Sequence, residues 1–263
     1  MELNLKENLE EKFVAFLDVM GFSNLVNKGN TSDLDSYFTK ITEILEKLRE
    51  DKADIQSLLI SDSIILVAPK GERGFIQLLW AIRRIQSIIL WKKILLRGAV
   101  SYGEVYYNDQ NNIIVGKGFI RAYLLEQEAV FPRVIIDPSI IKLISTDKTE
   151  FLKKVNKTLN YNFEERLIYT KGAFSEISDD GVFIDYANKI IMKNSIEGNL
   201  KYVYETIVKN LYSEQKLYSK YVWLKNYFLE ILRLTETSLT DTTNGTLKHK
   251  KALKDWIEKF ERL

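Results

Sequence analysis

The order of strand and helix patterns along the chain predicts an α+β protein with a ferredoxin-like, split-βαβ core followed by helices. Up to about residue 137, apolar runs typical of strands alternate with amphipathic helical patterns, in the order strand, helix, hairpin, helix, strand or hairpin, helix, strand. An antiparallel-rich sheet with helices on one face accommodates that order. From about Asn199 the pattern is purely helical. We therefore expect a core over residues 1–190 and a helical extension over residues 191–263.

The first predicted elements are a strand and an amphipathic helix. The stretch FVAFLDVMGFSNLV contains an apolar run over residues 12–18 that carries one acidic residue, Asp18, and breaks at Gly21. Residues 31–49 follow the helix-capping sequence NTSD and predict a helix. Its apolar residues recur every three or four positions: Leu34, Phe38, Ile41, Leu45 and Leu48.

The next elements complete the predicted sheet. Residues 55–69 are two apolar β-rich runs that turn at Ser61-Asp62-Ser63, which predicts a tight hairpin. A helix is predicted over residues 72–91, and residues 95–108 alternate in strand fashion. The remaining elements are the turn and strand IIVGKG, the helix FIRAYLLEQEAV, and the strand RVIID, which Pro138 ends.

The C-terminal third is predicted from weaker signals. GVFIDY, residues 181–186, is typical of a late strand. The helical pattern that follows is rich in Tyr and Trp, and we expect it to pack on the core or on a second subunit. Residues 235–246 are expected to be a polar linker before a last short helix.

Composition narrows the chemistry that the chain can perform. Its 263 residues carry a formal net charge of +2, no cysteine and one histidine, His249, within the polar segment KHKK. Disulfides, thiolate sites, histidine metal centres and Ser-His chemistry are therefore not expected. Neither nucleic acid nor a membrane is favoured as a partner, because the charge is near neutral and no apolar run reaches the roughly 18 residues of a membrane span. With no signal-peptide pattern at the N-terminus, we expect a cytoplasmic protein whose catalysis would rest on carboxylates, hydroxyls, Lys, Arg and bound metal.

Two acidic residues are expected to meet at one edge of the sheet. Asp18 ends the first strand, and Asp62 lies at the tip of the hairpin beside it. Two neighbouring carboxylates repel unless protonated or bridged by a cation, and Mg²⁺ or Mn²⁺ binds such a pair together with substrate phosphates. The turn at Gly21 starts a helix whose N–H groups can accept phosphate oxygens. The same two residues could also serve only as a cap and a turn residue.

Four blocks in order, over roughly residues 12–137, resemble the catalytic domain of class III nucleotidyl cyclases. FLDVMGFSNL is similar to the family's F-x-D-[IV]-x-G-F-[ST] strand and turn, and LLISDSIILVA to its second metal-ligand hairpin. LRGAVSYGEVY resembles the L-R-x-G-[IV]-x-x-G-x-V hairpin. VGKGFIRAYLLEQEAVFPRVIID resembles the helix and strand that follow.

The resemblance implies roles for particular residues. Asp18, Asp62 and the backbone carbonyl of Val19 would hold two divalent cations, Mg²⁺ or Mn²⁺. Arg97 stands where the family has a triphosphate-binding arginine. Gly21, Phe22 and Ser23 would form the phosphate-binding turn, and each active site would lie between the two subunits of a homodimer.

Several family positions are occupied by other residue types. The helix asparagine and arginine that support the transition state fall on Ile120 and Leu124, so Arg121 is the nearest residue that could replace them. The purine-reading lysine and aspartate align with Leu58 and Ile113. The late phosphate-binding lysine aligns near Asp180 or shifts to Lys171, and Ser61 replaces the glycine before the second aspartate.

These departures fit either a degenerate domain or a cyclase with another base preference. The second account resembles the stand-alone pyrimidine cyclases of bacterial Pycsar anti-phage systems, which make cyclic UMP or cyclic CMP to trigger a separate effector. On that resemblance we predict conversion of UTP or CTP to a 3′,5′-cyclic nucleotide and pyrophosphate. An inactive nucleotide-binding module and a palm-type nucleotidyltransferase, which also uses two carboxylates on a split-βαβ core, are the alternatives.

Overall fold

The strand order gives the core its identity as a split-βαβ fold. The structure is a computed structural model, and it describes residues 5–27, 31–50, 54–157, 166–169, 171, 177, 181–191, 196–239 and 243–263. Within these residues one sheet contains the following strands: β1 (Glu10–Val19), β2 (Gln56–Ile60), β3 (Ser63–Pro69), β4 (Leu96–Asn108), β5 (Ile113–Val115) and β6 (Val134–Ile136). Their order is β2-β3-β1-β4-β5, all antiparallel, and β6 pairs in parallel with β4. The predicted ferredoxin-like arrangement of the first four strands is thereby confirmed.

Helices connect the strands and follow them. In chain order they are α1 (Leu5–Asn8), α2 (Phe22–Asn27), α3 (Thr31–Glu50), α4 (Glu72–Leu90), α5 (Lys117–Glu128), α6 (Pro138–Ile144), α7 (Lys148–Lys157), α8 (Ala187–Ile190), α9 (Ile196–Asn210), α10 (Gln215–Ser238) and α11 (Asn244–Glu261). Both long amphipathic patterns in the core, over residues 31–49 and 72–91, form helices as predicted. Across the described part of the chain, no helix combines the length and the apolar character that a membrane span requires.

The two faces of the sheet are covered by different helices. Alternate β1 residues such as Phe13 and Leu17 pack into the main core with α3 and α4. Val14 and Phe16 point to the opposite face, where Phe119 of α5 packs against them. Because side chains alternate along a strand, Asp18 shares the α5 face with Val14 and Phe16.

The C-terminal helices pack on the core of the same chain. Leu95 and Phe183 from the core lie in one apolar cluster with buried residues of α9, α10 and α11. Polar contacts cross the same boundary, since the Tyr227 hydroxyl of α10 donates to Asp185 Oδ1 at 2.7 Å. The Tyr169 hydroxyl likewise donates to Glu230 Oε1 at 2.6 Å. The extension is therefore continuous with the sheet and its covering helices in its packing.

Three sequence predictions in this region were wrong. Residues 181–186 form only isolated bridges, Ile135 with Phe183 and Ile168 with Ile184, and no strand. Helix α10 continues to Ser238 and α11 begins at Asn244, so both ends of the linker expected over residues 235–246 are helical. The last helix, α11, has 18 residues and is not short. His249 is buried on α11 because every third or fourth residue of that helix faces the core.

Candidate active site

The end of β1 brings together the residues that the sequence placed there. Asp18 pairs in register with Arg97 of β4 on one side and with Ser63 of β3 on the other. The Val19 N–H donates to the Asp62 carbonyl at 3.3 Å, which joins the hairpin turn to the end of β1. Asp18, Asp62 and Arg97 therefore share one edge of the sheet, although they are up to 79 residues apart in sequence.

The two carboxylates act on each other electrostatically. Burial raises the pKa of Asp18, the charge of Asp62 raises it further, and Arg97 opposes both effects. The Arg97 Nε donates to Asp18 Oδ2 at 3.3 Å. A half-buried carboxylate with a raised pKa beside a second carboxylate gains from an additional cation.

Glu126 is a member of this cluster that the sequence analysis missed. Its Oε1 lies 2.5 Å from Arg97 Nε, and its side chain is 5% exposed. Burial raises the pKa of Glu126, Asp18 and Asp62 raise it as well, and Arg97 lowers it. A lone Glu seven residues after Phe119, on the helical face that packs against the sheet, is the signal that could have found it.

A buried tyrosine of the main core is affected by the charges of the carboxylates. Tyr37 of α3 is fully buried, and its hydroxyl has no hydrogen-bond partner among the residues that the structure describes. Burial raises the pKa of Tyr37, and the charges of Asp62 and Asp18 raise it further. Tyr37 therefore stays protonated beneath the end of β1.

The donor set suits a hard divalent cation that keeps other ligands. Within the described residues no three carboxylate, imidazole or thiolate side chains are grouped closely enough to form a metal cage. Two carboxylates are nevertheless sufficient for Mg²⁺, which usually retains waters and substrate phosphates. The Val19 side chain is a hydrocarbon, so only its backbone carbonyl could contribute a ligand.

The predicted phosphate turn begins with a left-handed glycine. Gly21 has φ +79°, a backbone conformation that favours glycine over residues with a Cβ. A Cβ at this position would meet no atom within 4 Å, so there is open space beside the turn. The Phe22 ring packs edge-on against Tyr37 and Phe38. Ser23 is exposed. The turn therefore stands at the surface, anchored by Phe22.

Arg121 is not brought to the cluster. Its Nε donates to Asp137 Oδ2 at 2.7 Å, and half of its side chain is exposed. Ile120 and Leu124 beside it are exposed as well. Within one protomer this face of α5 points away from Asp18.

The two positions aligned with purine-reading residues lie apart from the cluster. Leu58 is buried in the apolar cluster beneath α5. Ile113 pairs with Asn108, at the opposite end of β4 from Arg97. Lys171 is exposed, and Asp180 lies outside the described residues.

Comparisons with known proteins give only distant likenesses. No family model matches the sequence, and no curated protein matches it. Among solved structures, the catalytic core of a rhodopsin-guanylyl cyclase with converted specificity, in complex with ATPαS, is 18% identical with a TM-score of 0.45, covering 52% of this chain and 82% of that one. The adenylyl cyclase CyaB from P. aeruginosa is 15% identical with a TM-score of 0.43, and the match covers 67% of this chain and 93% of that one.

A third likeness is of the same order. The guanylyl cyclase Cya2 is 11% identical with a TM-score of 0.45, covering 67% of this chain and 91% of that one.

Proposed function

We propose that the protein is a metal-dependent nucleotidyl cyclase that converts a nucleoside triphosphate to a 3′,5′-cyclic nucleotide and pyrophosphate. The observation that carries this proposal is the meeting of Asp18, Asp62 and Arg97 at the end of the central strand of a split-βαβ sheet. Two carboxylates bind divalent cations, and a neighbouring arginine binds phosphate oxygens, so the cluster has the charges that a metal-bound triphosphate needs.

Each residue has a role in this proposal. Asp18, Asp62 and the Val19 carbonyl would hold two divalent cations, Mg²⁺ or Mn²⁺, which supply charge neutralisation at the phosphates and activation of the attacking oxygen. Arg97 binds the triphosphate, and Glu126 fixes the direction of its guanidinium. Gly21, Phe22 and Ser23 form the wall beside the phosphates.

The proposed active form is a homodimer. Ile120 and Leu124 are 54% and 50% exposed on the outer face of α5, where apolar side chains gain from a covering surface. Arg121 and Ile113 would complete a partner's site rather than that of their own protomer, whereas Leu58, buried beneath α5, would act only through the packing of that helix. The half-exposed Arg121 guanidinium is the group on this face that could approach a partner's substrate.

The finer proposal concerns the base and the biological role. Leu58 and Ile113 cannot make the hydrogen bonds of a purine-reading lysine and aspartate, which supports UTP or CTP as substrate. Together with the resemblance to Pycsar pyrimidine cyclases, this supports a cyclic nucleotide messenger in anti-phage defence that acts on a separate effector protein.

Product analysis tests the proposal. The purified chain is incubated with Mn²⁺ and each of the four nucleoside triphosphates, and products are separated and identified by mass. We expect cyclic UMP or cyclic CMP, loss of product with Asp18→Asn or Asp62→Asn, and normal product with Asp35→Asn, an exposed carboxylate on α3. Absence of any cyclic mononucleotide would overturn the proposal, and linked dinucleotides would indicate the palm-type alternative.

A further inference from the structure

A cationic cleft opens beside the candidate active site, between the core and the C-terminal helices. It encloses about 330 Å³ and is lined by Gly21 of the phosphate turn, Leu95 before β4, and residues of α9, α10 and the turn between them. Its lining includes Lys93, Lys209 and Lys220. The carboxylate in the lining, Glu214, pairs at 3.1 Å with Lys216, and Lys93 pairs at 3.1 Å with Glu205. Lys209 and Lys220 are the cations that leave the cleft positively charged.

The cleft continues the face of the sheet that carries the carboxylates. The Met20 N–H donates to the Leu95 carbonyl at 2.9 Å, which extends the pairing of β1 and β4 beyond Asp18 and Arg97. Met20 lies two residues after Asp18, and Leu95 two before Arg97, so by strand alternation both occupy the same face. They pack with the α10 cluster, and so α10 covers the sheet immediately past the cluster of Asp18, Asp62 and Arg97.

Lys220 is the lysine of this cleft that senses the active-site charges. Burial lowers its pKa, Arg97 lowers it further, and Asp18 acts in the opposite direction. Lys220 is half-buried, and no residue in the described ranges accepts a hydrogen bond or ion pair from it. An ammonium held near a second cation, without a paired anion, is placed to bind an incoming anion.

Helix α10 holds Lys220 firmly. Tyr221, Trp223 and Leu224, which follow it, are buried, and Trp223 stacks on Phe131 with ring centroids 5.5 Å apart. The packed helix fixes the point at which the Lys220 side chain leaves the backbone, beside the cleft.

We propose that Lys220 of the C-terminal extension binds the terminal phosphates of the triphosphate, and that the cleft between Gly21 and α10 receives the pyrophosphate end of the substrate. The inference rests on the proposed function for the identity of the substrate. It makes the extension a part of the active site, with Asp18 and Asp62 at the metal end and Lys220 at the end where pyrophosphate leaves.

Binding of tripolyphosphate tests this assignment without requiring turnover. Calorimetric titrations with Mg²⁺-tripolyphosphate are compared for the wild type, Lys220→Met, Lys220→Arg and Lys251→Met. Lys251 is the control, since it lies on α11 of the same extension, is exposed and does not line the cleft. We expect Lys220→Met to weaken binding by at least about tenfold, Lys220→Arg to retain most of it, and Lys251→Met to change it by less than about threefold.

The outcomes separate this inference from the proposed function. Equal losses in Lys220→Met and Lys251→Met would show that binding responds only to the overall charge of the protein and would overturn the inference. Unchanged binding in Lys220→Met, or no binding by the wild type, would overturn it as well. If the wild type forms cyclic nucleotide with a KM that Lys220→Met leaves unchanged, the inference fails and the cyclase proposal stands. If tripolyphosphate binding depends on Lys220 but no triphosphate is cyclised, the inference stands and the cyclase proposal fails.

Discussion

Asp18 is the carboxylate of the proposed metal site whose pKa the structure shifts upward. Its raised pKa means that the ionised form is less favourable in the folded metal-free protein than in the unfolded chain. Asp18→Asn should therefore raise the unfolding temperature of the metal-free protein while weakening Mn²⁺ binding by at least about tenfold. Thermal unfolding with and without Mn²⁺ measures both effects, and Asp35→Asn is the control. Undiminished stabilisation by Mn²⁺ in Asp18→Asn would exclude this carboxylate as a ligand.

The same raised pKa predicts how metal binding depends on pH. Below the raised pKa the folded protein keeps a proton on Asp18 that a cation must displace. The destabilisation by ionised Asp18 is absent at low pH and develops as the pH rises from the unfolded pKa through the folded one. We expect the apparent Mn²⁺ affinity to fall as the pH is lowered toward this interval. Mn²⁺ titrations at several pH values and constant ionic strength measure this dependence. In Asp18→Asn the remaining affinity should depend less on pH.

Ser61 carries backbone strain at the hairpin tip next to Asp62. Its φ of +55° is left-handed, a conformation that costs residues with a Cβ roughly 1–2 kcal/mol. Ser61→Gly should stabilise the fold by up to about 1 kcal/mol, because part of the relief is offset by the greater freedom of the unfolded chain. Ser63→Gly, within β3, is the comparison and should destabilise. Urea unfolding measures the free energy of unfolding of both variants. A lower value for Ser61→Gly than for the wild type would contradict the proposal that Ser61 is strained.

At the scale of elements, α5 is the piece that fixes the direction of Arg97. Phe119 and Tyr123 pack their rings on Phe16, at centroid distances of 6.1 and 5.3 Å, and this seats Glu126 against Arg97. Because Arg97 also contacts Asp18, Glu126 draws the guanidinium partly away from the carboxylate that a metal would need.

Neutralising Glu126 should therefore affect substrate binding. Glu126→Gln keeps the shape, and we expect it to raise the KM for the triphosphate more than it lowers kcat. Glu128→Gln, an exposed carboxylate two residues away, is the control. Equal kinetics in the two Gln variants would remove Glu126 from the site.

The comparison of sequence with structure is clearest at this scale. Long amphipathic helices and the hairpin around Asp62 were predictable, because periodicity and turn residues act locally. The contact of Glu126 with Arg97 depends on how α5 crosses the sheet, which no local pattern encodes. GVFIDY has strand composition but pairs only through single bridges, since Phe183 and Tyr186 are used to pack against α10.

Across the whole molecule, the extension and the core share one interior. Asp185 is fully buried and accepts hydrogen bonds from Arg166 Nε at 2.7 Å and from the Tyr227 hydroxyl at 2.7 Å. The same hydroxyl accepts from the Ala187 N–H at 3.0 Å. A chain cut at residue 190 would lose Tyr227 and uncover Leu95 and Phe183, so we do not expect residues 1–190 to fold as an isolated domain.

Tyr227→Phe tests this continuity without truncation. It leaves the buried Ala187 N–H without its acceptor and Asp185 without one donor, which should cost about 1–3 kcal/mol. Tyr218→Phe, on the exposed side of the same helix, should change stability by less than about 0.5 kcal/mol. If core and extension unfold together, tryptophan fluorescence, circular dichroism and loss of Mn²⁺ binding should all report the same urea transition. Tyr227→Phe should shift that single transition to a lower urea concentration. If the extension instead unfolds first, Mn²⁺ binding at Asp18 and Asp62 would survive its transition, and the boundary expected at residue 190 would mark two independent units.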